Sequence, residues 1–234
     1  MLRRTPPLLL RSARAPRTPG AARTADRAGR QGTGDRRRAL VLRAAPRHLP
    51  ADPASRNTPG MDVPENIFLV GFMGSGKSTV GQHLADVLGK AFLDCDRVLE
   101  ERTGVDIPYI FDIEGEEGFR RREAAVVHEL TEKRGIVLAT GGGAVGSPEN
   151  RRALATNGFV VYLHASAELL YQRTSRDRGR PMLHAEDPRA RIDELLAVRD
   201  PLYRAVADLV IETGRRGSRR VVHDVVRAIA ERAA

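Results

Sequence analysis

Residues 71–78 read Gly-Phe-Met-Gly-Ser-Gly-Lys-Ser, a pattern that binds nucleotide phosphates when it joins a strand to a helix. The glycines let the backbone bend until its N–H groups point at phosphate oxygens. We expect Lys77 to reach the β and γ phosphates and the Ser78 hydroxyl to ligate Mg²⁺. The predicted nucleotide contacts are Gly74, Ser75, Gly76, Lys77, Ser78 and Thr79. A glycine-rich turn that matches by chance is the alternative.

Such a site also needs an acid near the metal. The strand predicted before Gly141, Gly142 and Gly143 supplies none, whereas Asp94 and Asp96 follow another predicted strand. Ligands bind beyond the carboxyl ends of strands in open α/β sheets. Because residues two apart on an extended chain share a face, we predict that both acids look into one cleft and that the intervening Cys95 is a buried, inert thiol. A solvated acidic turn is the alternative.

The elements that must position these residues follow from the hydrophobic pattern. Beyond residue 66, short β-rich apolar runs alternate with longer amphipathic runs, which predicts a parallel sheet with helices on both faces. The predicted strands are 67–70, 91–93, 136–140, 159–163 and 209–212. The predicted helices are 77–88, 118–133, 148–157, 167–174, 188–198 and 219–233. The charged, aperiodic stretch 175–187 is predicted to be a mobile loop over the site.

The basic charge of the chain is confined to its first 60 residues. They hold 14 arginines and three acids, so they carry +11 and leave −2 for the rest of a chain whose total is +9. Total charge is therefore no argument for a nucleic-acid partner. We predict that residues 1–62 are a disordered leader. We favour translated upstream sequence before a true start at Met61, and an organelle transit peptide or a basic tail are the alternatives.

Two composition features bear on the compartment. No run approaches the roughly 20 apolar residues of a membrane-spanning helix, so we expect no membrane partner. Cys95 is the only cysteine, so no internal disulfide can form. We therefore expect a protein of the reducing cytoplasm.

Taken together, six motifs in their order resemble the shikimate kinase family. They are Gly-Phe-Met-Gly-Ser-Gly-Lys-Ser-Thr (71–79), Asp-Cys-Asp (94–96), Phe-Asp-Ile-Glu-Gly-Glu-Glu-Gly-Phe-Arg (111–120), Ala-Thr-Gly-Gly-Gly (139–143), Arg-Pro (180–181) and Arg-Asp-Pro-Leu-Tyr (199–203). The resemblance implies a three-layer P-loop kinase fold like that of nucleoside monophosphate kinases over residues 63–234, with a five-stranded parallel sheet in the order 2-3-1-4-5. It also implies a substrate-binding region at 94–123, a lid at 175–187, a monomer, and Mg²⁺-dependent phosphorylation of the 3-hydroxyl of shikimate by ATP.

The resemblance also implies roles for single residues. Asp96 resembles the residue that contacts the hydroxyls of shikimate and takes the proton of the attacking one. Arg120 and Arg199 resemble the residues that hold the carboxylate of shikimate. Gly142 resembles a residue that donates its backbone N–H to shikimate. On the nucleotide side, Asp94 resembles the residue that contacts Mg²⁺, and Arg180 resembles the lid arginine that lies over the phosphates. Arg173 and Arg216 resemble the residues that contact the adenine. We expect in-line transfer without a phosphoenzyme, with Glu123 orienting Arg120. Phe111 and Phe119 either wall the substrate ring or belong to the core.

Three alternatives stay open from the sequence. Each arginine, taken alone, could be a solvated surface charge. Another small-molecule kinase of the same fold, such as a gluconate kinase or a nucleoside monophosphate kinase, would keep the phosphate-binding loop, although Arg120 and Arg199 favour a carboxylate acceptor. A non-catalytic ATP-binding protein would keep the fold, but every proposed catalytic position holds a competent residue.

Overall fold

The computed structural model describes residues 63–175 and 187–233, and within them five strands form one parallel sheet. The strands are β1 (Ile67–Val70), β2 (Ala91–Asp94), β3 (Ile136–Ala139), β4 (Phe159–His164) and β5 (Leu209–Glu212). Their order in the sheet is β2-β3-β1-β4-β5, as predicted. The predicted leader, 1–62, lies outside the described residues, as does most of the predicted lid.

Strand β1 lies at the centre of the sheet because its side chains are apolar on both faces. All four of its residues are fully buried, whereas β5, at the edge, alternates between exposed and half-buried positions. A continuous apolar run is what a strand covered on both faces by helices requires. Leu69 is in register with Ala139 of β3 on one side and Val161 of β4 on the other.

Seven helices cover the two faces of the sheet in the described residues. They are α1 (Lys77–Leu88), α2 (Cys95–Thr103), α3 (Ile107–Thr131), α4 (Pro148–Asn157), α5 (Ala167–Thr174), α6 (Pro188–Val206) and α7 (Ser218–Ala233), with a short 3₁₀ turn at Ala144–Gly146. Side chains of α2, α3, α4 and α6 pack together on one face. Those of α1 and α7 pack on the other, so the sheet has helices on both sides.

Several helices begin where a side chain caps the first turn. Asp106 accepts a hydrogen bond from Tyr109 N at the start of α3, and Ser147 accepts one from Asn150 N at the start of α4. Asp187 accepts two at the start of α6. All three helices carry proline at the first or second position, where its missing N–H leaves no bond unmade.

Three helix predictions were wrong. Helix α2 was missed because it has few apolar residues, and a cap at Asp94 and contacts with α3 stabilise it instead. The first half of α3 was missed because Gly115, at φ 67° and ψ −176°, interrupts its periodicity. Helix α6 was predicted to end at 198, before Pro201, yet it continues to Val206. Burial of Tyr203 and Val206 against the sheet offsets the hydrogen bond that a proline inside a helix removes.

Candidate active site

One cavity of about 670 Å³ lies at the carboxyl edge of the sheet. The loops after β1, β2 and β3 open into it, where open parallel sheets bind ligands. Every predicted site residue within the described part of the chain lines this cavity: Gly74, Ser75, Gly76, Lys77, Ser78, Thr79, Asp94, Asp96, Arg120, Gly142, Arg173, Arg199 and Arg216. Arg180 is the exception, since it lies outside the described residues. Residues far apart in the sequence thus meet at one site.

The loop after β1 has the backbone of a phosphate cradle. Gly71, Gly74 and Gly76 have φ values of 145°, 79° and 99°, a region in which other residues are strained. Gly71 also leaves no room for a side chain, because a Cβ there would lie 2.7 Å from the Leu163 carbonyl oxygen. Helix α1 has no side-chain cap at Gly76, and its first residues line the cavity, so N–H groups at the positive end of the helix dipole are available to a ligand there.

Lys77, the first residue of α1, folds back over the loop. Its Nζ donates to the carbonyl oxygens of Gly71, at 2.8 Å, and Phe72, at 3.0 Å. The residue is only 8% exposed, so its charge is held inside the cradle rather than in bulk water. An ammonium group at this position lies beside the backbone N–H groups that would receive phosphate oxygens.

Ser78 and Asp94 lie together beside the cradle, with 2.6 Å between Ser78 Oγ and Asp94 Oδ2. The other oxygen, Asp94 Oδ1, accepts from the backbone N–H groups of Asp96 and Arg97 and so caps α2. The cap fixes Oδ2 towards Ser78. A hydroxyl and a carboxylate oxygen are hard donors of the kind that Mg²⁺ prefers.

These two oxygens fit a magnesium ion held mainly by nucleotide phosphates. In residues 63–175 and 187–233, no group of three or more His, Cys, Asp or Glu side chains could hold a metal ion. Mg²⁺ is usually bound through one or two carboxylates together with substrate phosphates and water, so a dedicated protein cage is not needed.

The prediction that Asp94 and Asp96 share a cleft is confirmed, but its structural reason was wrong. Asp94 ends β2 and is the N-cap of α2, while Asp96 lies in the first turn of that helix. The two side chains therefore meet in the cavity through a strand-to-helix turn and not along an extended chain. Cys95 is 1% exposed, as expected. Burial, together with the nearby carboxylates, raises the pKa of its thiol, so it is not a nucleophile.

Arg120 on α3 is held by two carboxylates. Its Nη1 donates to Glu123 Oε2 at 2.6 Å, and its Nη2 donates to Glu116 Oε1 at 3.2 Å. Burial opposes the charge of Arg120, but Glu123 and Glu116 more than compensate, and the pKa of Arg120 is raised. The expected contact between Glu123 and Arg120 is thus confirmed.

Arg199 on α6 lies 8% exposed at the same end of the cavity, and its Nη1 has no hydrogen-bond partner among the residues that the structure describes. Burial, with the charge of Arg120 as a smaller cause, lowers the pKa of Arg199. A buried guanidinium nitrogen without a partner costs free energy, and an anion is the group that would satisfy it. Two arginines beside one another at the cavity wall are suited to a carboxylate.

The positions after β3 need glycine because a side chain there would clash with neighbouring residues. Their backbone torsion angles do not lie in the left-handed region, so they are not the reason. A Cβ at Gly141 would lie 2.2 Å from Glu123 Oε1, and one at Gly143 would lie 2.3 Å from Arg120 Nη1. Side chains on α3 therefore pack directly against this backbone. The glycine turn and the Arg120–Glu123 pair form one surface.

Phe111 and Phe119 line the cavity and also belong to the core or pack against it. Their ring centroids lie 4.6 Å apart, and both residues line the cavity. Phe119 is also a buried member of the core that α3 shares with the sheet, and Phe111 packs against that core.

At the nucleotide end, Arg173 and Arg216 are held by different partners. Arg173 donates to the carbonyl oxygens of Gly74, at 3.1 Å, and Gly214, at 2.9 Å, and so bridges the phosphate loop and the turn after β5. Arg216 is paired with Asp224 of α7 at 3.1 Å. Neither contact was predicted from the sequence.

Sequence reasoning missed further residues that line the cavity. Thr213, Ser218 and Val221 do so at the nucleotide end. Thr213 directly follows β5, so the rule that ligands bind beyond the carboxyl ends of strands could have found it. Ser218 and Val221 lie at the start of α7, and no local signal marks them.

Comparisons with known proteins give one family. A family model described as Shikimate kinase matches residues 73–230. Among curated proteins, a shikimate kinase from Halorhodospira halophila is 57% identical over 167 residues, which are 71% of this chain and 94% of that protein. A shikimate kinase from Bordetella pertussis is 60% identical over 153 residues, 65% of this chain and 72% of that protein.

Solved structures agree with this result. Shikimate kinase from Acinetobacter baumannii in complex with shikimate is 49% identical and has a TM-score of 0.71, with 72% of this chain and 94% of that chain covered. Shikimate kinase from Aquifex aeolicus is 32% identical and has a TM-score of 0.64, with 72% and 98% covered. Sequence, motifs and fold agree, and the chain belongs to the shikimate kinase family.

Proposed function

We propose that this protein transfers the γ-phosphoryl group of ATP to the 3-hydroxyl of shikimate, giving ADP and shikimate 3-phosphate. The observation that carries the proposal is the set of residues that line one cavity at the carboxyl edge of the sheet. A phosphate cradle lies at one end, and two arginines with an aspartate lie at the other. Family membership identifies the reaction class, and the Arg120–Arg199 pair fits an acceptor with a carboxylate.

At the acceptor end, Arg120 and Arg199 hold the carboxylate of shikimate, and the partnerless Arg199 Nη1 gains an acceptor. The backbone of Gly142 contacts the substrate from the glycine turn that packs against Arg120. Asp96 then lies at the hydroxyl side of the ring and accepts the proton of the 3-hydroxyl. Fixing the acceptor in this way converts a bimolecular encounter into an oriented reaction.

At the nucleotide end, the cradle backbone and Lys77 hold the β and γ phosphates. The 3-hydroxyl oxygen forms a bond to the γ-phosphorus as the bond to the β–γ bridging oxygen breaks, and ADP leaves with that oxygen. Ser78 and Asp94 would hold Mg²⁺, whose charge neutralises the phosphate oxygens. Arg173 and Arg216 contact the adenine, and Arg180 closes over the phosphates during transfer. The protein works as a cytoplasmic monomer.

The test is an ADP-release assay of the full chain with ATP and Mg²⁺ and, in turn, shikimate, gluconate and a nucleoside monophosphate. We expect turnover with shikimate only. Turnover with gluconate or a nucleotide acceptor would keep the phosphate site but refute the roles given to Asp96, Arg120 and Arg199. Tight ATP binding without turnover on any acceptor would refute an enzymatic role.

A further inference from the structure

Tyr203 is a buried residue of the Arg-Asp-Pro-Leu-Tyr motif for which the reaction gives no role. It lies on α6 four residues after Arg199, so the two side chains project from the same face of the helix. Tyr203 is fully buried, and its hydroxyl donates a hydrogen bond to the carbonyl oxygen of Gly142. One helix face therefore carries an acceptor arginine and contacts the glycine turn.

The Gly142 carbonyl depends on this contact from outside the turn. Within the turn, the Gly141 oxygen accepts from Ala144 N at 3.2 Å, and the Gly143 oxygen accepts from Gly146 N at 2.9 Å. Local backbone bonds thus fix the carbonyls on either side, whereas the Gly142 carbonyl is bonded by a residue 61 positions away. Glycine backbone is flexible, so a peptide between two glycines needs such a bond to keep one orientation.

The ring of Tyr203 is itself held in place. It stacks on Tyr162 of β4 with a centroid distance of 4.9 Å and an interplanar angle of 25°. The Tyr162 hydroxyl donates to Asp200 Oδ1 at 2.7 Å, and Asp200 also accepts from Arg204 Nε at 2.7 Å. The stack limits rotation of the Tyr203 ring, so the direction of the Tyr203 hydroxyl is fixed by ring packing and not by the hydrogen bond of Tyr162.

The hydroxyl remains a donor over the neutral pH range. Burial raises the pKa of Tyr203, although the nearby Arg199 opposes this effect. A tyrosine that stays protonated donates to a carbonyl oxygen, whereas its anion would not. The contact is therefore not lost by titration near neutrality.

The glycine turn lies between two other parts of the site. A Cβ at Gly142 would lie 3.0 Å from the backbone nitrogen of Met73 in the phosphate loop, and one at Gly143 would clash with Arg120. A rotation of the Gly142–Gly143 peptide would therefore disturb the acceptor wall on both sides. The group that fixes this peptide therefore also fixes its packing against Met73 and Arg120.

We propose that Tyr203 is a positioning residue for the acceptor: its hydroxyl fixes the Gly142–Gly143 peptide and ties it to the helix that carries Arg199. The glycine turn and Arg199 then hold one shikimate molecule in a constant relative position. The inference rests on the proposed function, because it assigns both groups to shikimate binding. Tyr203 does not touch the reacting atoms, so its effect is on acceptor binding.

The experiment compares Tyr203→Phe with Tyr162→Phe in the full chain. Each variant removes one buried hydroxyl and keeps its ring in the stack, but only Tyr203→Phe releases the Gly142 carbonyl and removes the hydroxyl's contact with Arg199. We expect Tyr203→Phe to raise the KM for shikimate about fivefold to tenfold, an effect of the size expected when roughly one hydrogen bond is lost. The KM for ATP should stay unchanged. Tyr162→Phe should leave both KM values unchanged, while both variants lower Tm by about 2–4 °C.

The outcomes separate this inference from the proposed function. If the wild-type protein does not phosphorylate shikimate, the proposed function fails. Suppose instead that the wild-type protein phosphorylates shikimate. The inference is then wrong, and Tyr203 is only structural, if Tyr203→Phe has a normal KM for shikimate. The same holds if Tyr203→Phe and Tyr162→Phe both raise the KM values for shikimate and ATP.

A measurement on the wild-type protein covers the case in which Tyr203→Phe does not fold. Exchange of a tyrosine hydroxyl proton is read by NMR from the isotope shift of its ring Cζ in mixed light and heavy water. Addition of shikimate should slow exchange of the Tyr203 hydroxyl and leave that of Tyr162 unchanged. Equal exchange of the Tyr203 hydroxyl with and without shikimate would overturn the inference.

Discussion

At the nucleotide end of the cavity, the predicted phosphate contacts among the described residues come from one continuous segment, 74–79, where we expect backbone N–H groups to bind the phosphates. At the acceptor end they come from four places: the start of α2, the middle of α3, the glycine turn after β3, and α6. A phosphate cradle can be built by local backbone geometry, since N–H groups and a helix dipole recognise phosphate without regard to side chains. A carboxylate and a set of hydroxyls require side chains placed at several points around the ligand.

This difference predicts that substitutions at the two ends will change different kinetic constants. Substitutions in the cradle should lower turnover for any acceptor, and substitutions at the acceptor wall should raise the KM for shikimate alone. The predictions below test that separation, from the largest expected effect to the smallest.

Lys77→Met should have the largest effect. Lys77 is the buried cation that would neutralise charge on the transferred phosphoryl group, and methionine keeps its length without the charge. We expect kcat to fall about a hundredfold to a thousandfold, the cost of removing one preorganised charge stabiliser. Lys133→Met is the control, because Lys133 is an exposed residue outside the cavity and its loss should change nothing. A large rise in the KM for shikimate with kcat preserved would contradict the separation of the two ends.

Arg199→Ala should raise the KM for shikimate and leave the KM for ATP unchanged. Its partnerless Nη1 is the donor that the substrate carboxylate would satisfy. Loss of a charged hydrogen bond worth about 1.5–3 kcal/mol corresponds to roughly a tenfold to a hundredfold rise. Arg191→Ala on the same helix is the matched control, since Arg191 pairs with Glu194 and does not line the cavity. An equal effect of the two variants would mean that Arg199 acts only as a surface charge.

Gly141→Ala should weaken acceptor binding through a steric effect. A Cβ at residue 141 would lie 2.2 Å from Glu123 Oε1 on α3 and 3.0 Å from Asp96 Oδ1 on α2, so the Glu123 side chain must move. We expect a rise in the KM for shikimate and a free energy of unfolding lower by about 1–3 kcal/mol, the usual cost of overpacking. Gly146→Ala, where a Cβ meets nothing within 4 Å, is the control for a glycine in the same turn region. Urea unfolding and steady-state kinetics measure both effects.

Glu123→Gln should have the smallest effect and should change the pH dependence of stability. Burial raises the pKa of Glu123 above that of the unfolded chain, although Arg120 opposes the shift. Relative to the unfolded chain, folding therefore favours protonation of the Glu123 carboxyl group. The resulting stability is fully present below the unfolded pKa and is lost as the pH rises through the folded pKa.

Glutamine has no such transition. The free energy of unfolding of the wild-type protein minus that of Glu123→Gln should therefore decrease as the pH rises from the ordinary glutamate pKa through the raised pKa. Urea unfolding of both proteins at a series of pH values measures this difference. A difference that increases with pH would show that Arg120 outweighs burial and that the pKa of Glu123 is lowered.

The sequence predicted the sheet well because each strand has a local signature. Strand β1 is a short run of β-rich apolar residues, and the order of strands came from the resemblance carried by the motifs. Helices whose stability comes from tertiary contacts were predicted less well. Helix α2 has few apolar residues, and α6 passes through Pro201 because Tyr203 is buried beyond it.

By itself, the sequence determined the phosphate cradle, since its glycines, lysine and serine act through backbone geometry that a few adjacent residues specify. It also identified the residues of the acceptor end, but not how they meet. Only the tertiary structure decided that Asp94 caps a helix, that Glu123 packs against Gly141, and that Tyr203 bonds Gly142. These contacts join residues far apart in the chain, and their geometry depends on how helices pack on the sheet, which local sequence does not encode.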